Sequence, residues 1–262
     1  KAEVSQRPRD EVDEDSPSER YRRTHSTVLP GVTSRRRAKR ELKDRKLSTW
    51  VTRAASCPIS IDVEAVTEMA SRPETKRRAR QIREELGNPE TVYLGVDRLD
   101  YSKGLEERLL GYEQFLQDNP DQRGEVFLLQ VTPISRDDVD SYQDIRARLD
   151  ALAGRINGAF ADMDWAPIRY LNRTYRRDQL AGIYRAARVG LVTPLRDGMN
   201  LVAKEFVAAQ NPDDPGVLIL SRFAGAAEQM GEALLVNPYS REELSEAIKK
   251  ALTMPLAERV RK

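Results

Sequence analysis

Leu191-Val192-Thr193-Pro194-Leu195-Arg196-Asp197-Gly198-Met199-Asn200-Leu201-Val202-Ala203-Lys204-Glu205-Phe206 reads as a strand, a turn and the start of a helix. The apolar run from Val189 to Val192 has the length and continuity of a strand buried on both faces of a parallel sheet. Asp197 and Gly198 mark the turn, and Asn200 is placed to cap the helix that opens at Leu201. A strand, tight turn and helix of this kind present free main-chain N–H groups at the carboxyl edge of the sheet, where α/β proteins bind anions. The turn also holds two carboxylates, Asp197 and Glu205, which suit hydroxyl groups better than phosphate.

Outward from that stretch the same alternation repeats. Thr91–Val96, Val126–Val131, Ile168–Leu171, Val217–Leu220 and Leu234–Val236 read as further strands. Helices are expected over Arg72–Leu86, Leu105–Gln117, from about Asp138 to Leu152 or beyond, Arg177–Ala187 and Glu242–Met254. Strands separated by helices of ten or more residues imply βαβ units, and so a Rossmann-like parallel sheet from about residue 88 to 254.

Residues 1–56 differ in kind. They are polar, rich in Arg, Ser and Pro, and lack apolar periodicity, so they are expected to stay disordered. Residues 1–50 hold fourteen Lys/Arg against nine Asp/Glu, while the whole chain is only +2, so the remainder is mildly acidic. The basic run Arg35–Arg40 has no interleaved aromatic rings and is read as a solvated charge run, not a nucleic-acid patch. No apolar run reaches the length of a membrane span. Cys57 and His25 are the only residues of their types, which excludes an internal disulfide and disfavours a zinc site, and fits a cytoplasmic protein.

The expected carboxyl edge collects cations. Arg98 and Lys103 follow the first strand, Arg136 the second, Arg173 and Arg176 the third, and Arg222 the fifth. Arg offers a planar fork to phosphate oxygens and Lys a point charge. With Asp197 and Glu205 for hydroxyls, the edge suits a nucleotide-sugar. No Walker sequence and no G-x-G-x-x-G follows the first strand, and no carboxylate cluster has magnesium-site spacing.

Gly95-Val96-Asp97-Arg98-Leu99-Asp100-Tyr101-Ser102-Lys103-Gly104 and Val192–Glu205 resemble the signature stretches of the trehalose-6-phosphate synthase family. Ser141–Gln143, Gly154–Gly158, Phe223–Ala227 and Leu235–Pro238 add to the resemblance, which runs from about Pro58 to the C-terminus. It implies the C-terminal, donor-binding half of a retaining GT-B glycosyltransferase that moves glucose from UDP-glucose to glucose 6-phosphate, with no metal or other cofactor. By the same resemblance Arg98 and Lys103 would hold the donor diphosphate, and Leu201 to Glu205, Val202 included, would line the nucleotide, with Glu205 on the ribose. Asp197 and the backbone of Gly198, Met199 and Asn200 would hold the glucosyl group, Tyr175 would lie near the uracil, and Arg136 would reach the acceptor's phosphate. UDP-glucose and glucose 6-phosphate are then the expected partners, without nucleic acid or membrane; assembly into a homo-oligomer stays open. The family's N-terminal domain and its last helix are missing from the resemblance, so the chain is expected to be a fragment: residues 57–262 as a C-terminally truncated donor domain, with little or no activity alone. A non-catalytic regulatory homologue and a transferase for another sugar nucleotide are the rival readings.

Overall fold

Six parallel strands in the order β3-β2-β1-β4-β5-β6 form the sheet: β1 Thr91–Val96, β2 Val126–Val131, β3 Ile168–Leu171, β4 Val189–Val192, β5 Val217–Ser221 and β6 Leu234–Val236. The computed structural model describes residues 58–133 and 140–261, with the side chains of Asp140, Ser141 and Tyr142 left aside. Arg136, the segment 1–56 and Cys57 therefore lie outside the described residues. Apart from Pro58, the described residues belong to one compact unit, Ile59–Lys262. Five of the six strands match the runs read from sequence, and β5 extends one residue further, to Ser221.

The helices are α1 Val63–Ser71, α2 Pro73–Glu85, α3 Leu105–Asp118, α4 Asp140–Phe160, α5 Arg177–Ala186, α6 Leu201–Ala208, α7 Arg241–Thr253 and α8 Leu256–Arg261. α1 and α8 were not expected. α1 is capped by Asp62, whose side chain accepts from the Ala65 N–H at 3.0 Å, and it buries only Ala70. So little burial leaves hardly any apolar signal to read. α4 runs eight residues past Leu152, to Phe160.

Side chains alternate between the two faces of the sheet. Tyr93, Leu128, Leu191 and Ile219 point to the core shared with α3, α4 and α7. Val92, Leu94, Phe127 and Leu218 point to the core under α1, α2, α5 and α6. Both faces are covered, which is why the strands read as unbroken apolar runs.

The order of strands reverses between β1 and β4. β1 pairs with β2 along all six residues but with β4 only at Tyr93↔Val189 and Leu94↔Gly190. Beyond Leu94 the two central strands leave their ladder, and ligand crevices form at the carboxyl side of such a switch point.

Candidate functional site

Three loops meet at that switch point. The β1–α3 loop carries the 3-10 turn Tyr101–Lys103, the β4–α6 loop carries Asp197, and the β5 loop carries Phe223 to Gly225. Main-chain bonds stitch them together. Leu195 N–H donates to Ser102 O at 2.8 Å, Asp197 N–H to Phe223 O at 3.2 Å and Gly225 N–H to Asp197 O at 3.1 Å. Two glycines permit the contact. Gly104 sits at φ +63°, where a Cβ would also stand 2.3 Å from Thr193 O. At Gly225 a Cβ would stand 2.1 Å from Gly198 O.

The loops bring two expected site residues into direct contact. Lys103 Nζ donates to Asp197 Oδ2 at 2.6 Å, with side-chain exposures of 15% and 16%. Asn200 Nδ2 donates to the same oxygen at 3.1 Å. Asn200 caps α6 as expected, its Oδ1 accepting from Ala203 N–H at 3.1 Å, and it does so at φ +75°. That conformation is uncommon for a residue with a side chain, and here it is held by two hydrogen bonds. Among the described residues, the main-chain N–H groups of Gly198, Met199, Leu201 and Val202 make no hydrogen bond, so α6 opens with donors free for an anion.

Glu205 lies one turn further along α6. Tyr184 Oη donates to Glu205 Oε2 at 3.0 Å. Burial, followed by the Glu205 charge, holds the Tyr184 phenol well above its ordinary range, so it stays a donor. Glu205 lines a cavity of about 300 Å³ with Leu201, Leu180, Ala181, Val66 and Met69. Its walls are mostly apolar, with Asp62, Arg177 and Glu205 as the charged groups, a lining that suits a flat ring carrying hydroxyls.

Behind this edge lies a buried network that the sequence reading did not single out. Arg108, 1% exposed, donates to Asp97 Oδ2 at 2.6 Å and Gln130 Oε1 at 3.0 Å through Nη1, and to Thr193 Oγ1 at 3.0 Å through Nε. Its Nη2 reaches Lys103 O at 3.4 Å. One guanidinium thus ties β1, β2, β4 and the Lys103 turn together. Burial pushes the Asp97 carboxyl upward, and the Arg108 charge and hydrogen bond oppose that rise. A signal was available: Arg108 falls in the apolar stripe of α3 beside Leu105, Leu109 and Tyr112, all buried.

The remaining expected residues sort differently. Arg98 is exposed and, among the described residues, makes no hydrogen bond or ion pair. Asp100 beside it is raised by partial burial but held below the usual carboxylate range by Ser102, whose N–H and hydroxyl both donate to it, with Lys103 and Arg98 adding to the pull. Arg222 pairs with Glu243, and Arg176 pairs with Asp178 at 2.9 Å on the surface, so the collection of edge cations is smaller than expected. Tyr175 is half-buried against the core and does not line the Glu205 cavity. Asp197 does not cap α6, and Glu205 pairs with a tyrosine and not with a cation.

The fold is a Rossmann-like α/β domain whose switch point brings Lys103, Asp197 and Asn200 together. The chain belongs to glycosyltransferase family 20, whose family model matches residues 20–262. It is 50% identical over 222 residues to the trehalose-6-phosphate synthase of Klebsiella pneumoniae subsp. pneumoniae, covering 84% of this chain and 46% of that one. The crystal structure of an α,α-trehalose-phosphate synthase (UDP-forming) from Burkholderia xenovorans in complex with glucose-6-phosphate superposes with a TM-score of 0.78 at 49% identity, over 80% of this chain and 46% of that one. A structure from E. coli bound with UDP-2-fluoro glucose gives 0.76 at 50% identity, over 80% and 46%. The chain therefore spans somewhat under half the length of the relatives it matches. No described helix is long and apolar enough to cross a membrane.

Proposed function

We propose that these residues form the donor-binding half of a trehalose-6-phosphate synthase, which transfers glucose from UDP-glucose to glucose 6-phosphate with retention and without a metal. The observation that carries the reading is the Lys103–Asp197 pair across the switch point, beside the unpaired main-chain N–H groups that open α6. Solved relatives, one in complex with glucose-6-phosphate and one bound with UDP-2-fluoro glucose, support the same donor and acceptor.

In this reading Arg98 and the α6 amides take the diphosphate, and Lys103 shares its ammonium between Asp197 and a phosphate oxygen. Asp197, with the Gly198–Asn200 backbone, accepts glucosyl hydroxyls. Glu205 accepts the ribose hydroxyls in the largely apolar cavity whose wall includes Leu201. As the bond between the anomeric carbon and the β-phosphate oxygen breaks, negative charge grows on that phosphate. The amides and cations already face it, so little reorganisation is needed. The acceptor hydroxyl attacks from the leaving group's side and its proton passes to the departing phosphate, so no carboxylate nucleophile is required. Arg136 belongs to the acceptor's phosphate. A single cysteine supports a cytoplasmic setting.

Calorimetry with UDP and UDP-glucose tests the donor site, and absence of binding to the chain would refute it. An assay for UDP release with glucose 6-phosphate tests the expectation that the chain alone turns over slowly or not at all.

A further inference from the structure

A second charged cavity lies at the other end of the sheet. It measures about 440 Å³ and opens between α2, the α5–β4 turn and the loop joining α6 to β5. Glu90, Arg188 and Gly216 in its wall immediately precede β1, β4 and β5, so it sits at the amino ends of the strands, away from Lys103 and Asp197.

Five cations line it, Lys76, Arg80, Arg83, Arg185 and Arg188, against two carboxylates, Glu90 and Asp214. Two of the cations have structural work. Arg83 donates to Pro89 O at 2.6 Å and Ala186 O at 3.3 Å, and Arg185 to Ala209 O and Gln210 O at 3.4 Å. Asp214 is divided between Arg188 at 3.2 Å and Arg259 at 2.7 Å. Lys76 and Arg80 lie one turn apart on α2 and, among the described residues, their side chains make no hydrogen bond or ion pair. The cavity thus has more positive charge than its own wall neutralises. Burial, then repulsion from Arg259 and Arg83, holds Arg188 below its ordinary range, and burial does the same to Arg185. Among the described residues no aromatic ring lines the cavity, so it offers phosphate oxygens partners but gives a nucleobase nothing to stack on.

We propose that this cavity is a second anion site, taking a small molecule that bears a diphosphate or several phosphates, held by Lys76, Arg80 and Arg188. Inorganic pyrophosphate is the probe, titrated calorimetrically into the full chain at fixed salt. Lys76→Ala/Arg80→Ala, two exposed positions, should weaken pyrophosphate binding tenfold or more while leaving UDP affinity within twofold. The charge-matched pair Arg77→Ala/Lys249→Ala, also exposed, should change pyrophosphate binding by less than twofold. Absence of pyrophosphate binding, equal affinity in wild type and the Lys76/Arg80 variant, or equal weakening in the charge-matched variant would overturn the proposal. A parallel fall in UDP affinity would also overturn it, because the two anions would then share one site.

Discussion

Lys103 and Asp197, ninety-four residues apart in sequence, share a 2.6 Å hydrogen bond at the carboxyl ends of the two central strands. Each loop is locally unremarkable in composition, and their joint meaning lies in the pairing. The pair is largely buried, and in such a pair desolvation offsets much of the attraction, so its interest lies in what each partner offers a ligand. The first prediction follows. Asp197→Ala frees the ammonium for phosphate but removes the hydroxyl acceptor. UDP affinity should stay within a few-fold of wild type, while the extra affinity for UDP-glucose over UDP should fall by about 1–3 kcal/mol. Calorimetry with both ligands measures the difference, and an unchanged preference for UDP-glucose would show that Asp197 does not touch the sugar.

Glu205 should act on the other half of the donor. Glu205→Ala is expected to weaken UDP binding about tenfold or more, because an acceptor for ribose hydroxyls in an apolar cavity is lost. A 2′-deoxy analogue of UDP should lose less than UDP does on the same substitution. Equal losses for both nucleotides would place the carboxylate away from the 2′-hydroxyl.

Arg108 should matter for stability ahead of binding. Arg108→Met strands a buried Asp97 charge, and removing one partner of a buried pair costs about 3–5 kcal/mol. Asp97→Asn/Arg108→Met should recover part of that loss. Urea denaturation of the two variants gives the comparison, and a double variant less stable than Arg108→Met would contradict the assignment.

Asp214 predicts an acid limb of stability. Partial burial acts to raise its carboxyl, but Arg259 and Arg188 hold it below the ordinary value of 3.8. The folded state thus binds this proton less tightly than the unfolded chain does. Its contribution is present above the ordinary value and is lost as pH falls through the folded one. Asp214→Asn should therefore be less stable than wild type at neutral pH, with the gap closing below about pH 4. A gap that widens on acidification would reverse the sign and refute the account.

Much of this fold could be read from residue order. Val126–Val131 and Val189–Val192 are buried on both faces, and such runs allow little else. α1 escaped because its nine residues bury a single alanine, and α8 because its six residues bury only Arg259 and so carry no apolar stripe. At the site, Lys103, Asp197, Asn200 and Glu205 follow strands or open a helix, and position alone nominated them. Arg108 did not stand out, since a charge within an apolar stripe is ordinarily taken to reach solvent. Its partners Asp97, Gln130 and Thr193 come from three different strand ends, which only folding brings together.

The parallel sheet also bears on how the chain reaches this state. No two adjacent strands can close through a hairpin, and β1 must wait for β4, whose first residue comes ninety-three positions after Val96. β1-β2-β3 and β4-β5-β6 each close over shorter spans, so two half-sheets can form before they join. α7 then has to return to the first half, where Ser245 Oγ donates to Asp118 and Ile248 O accepts from the Tyr93 hydroxyl. The Lys103–Asp197 seam can close only where these two half-sheets meet. During synthesis the first half emerges well before the helix that covers it, and its exposed apolar face is then an opening for a chaperone or for aggregation.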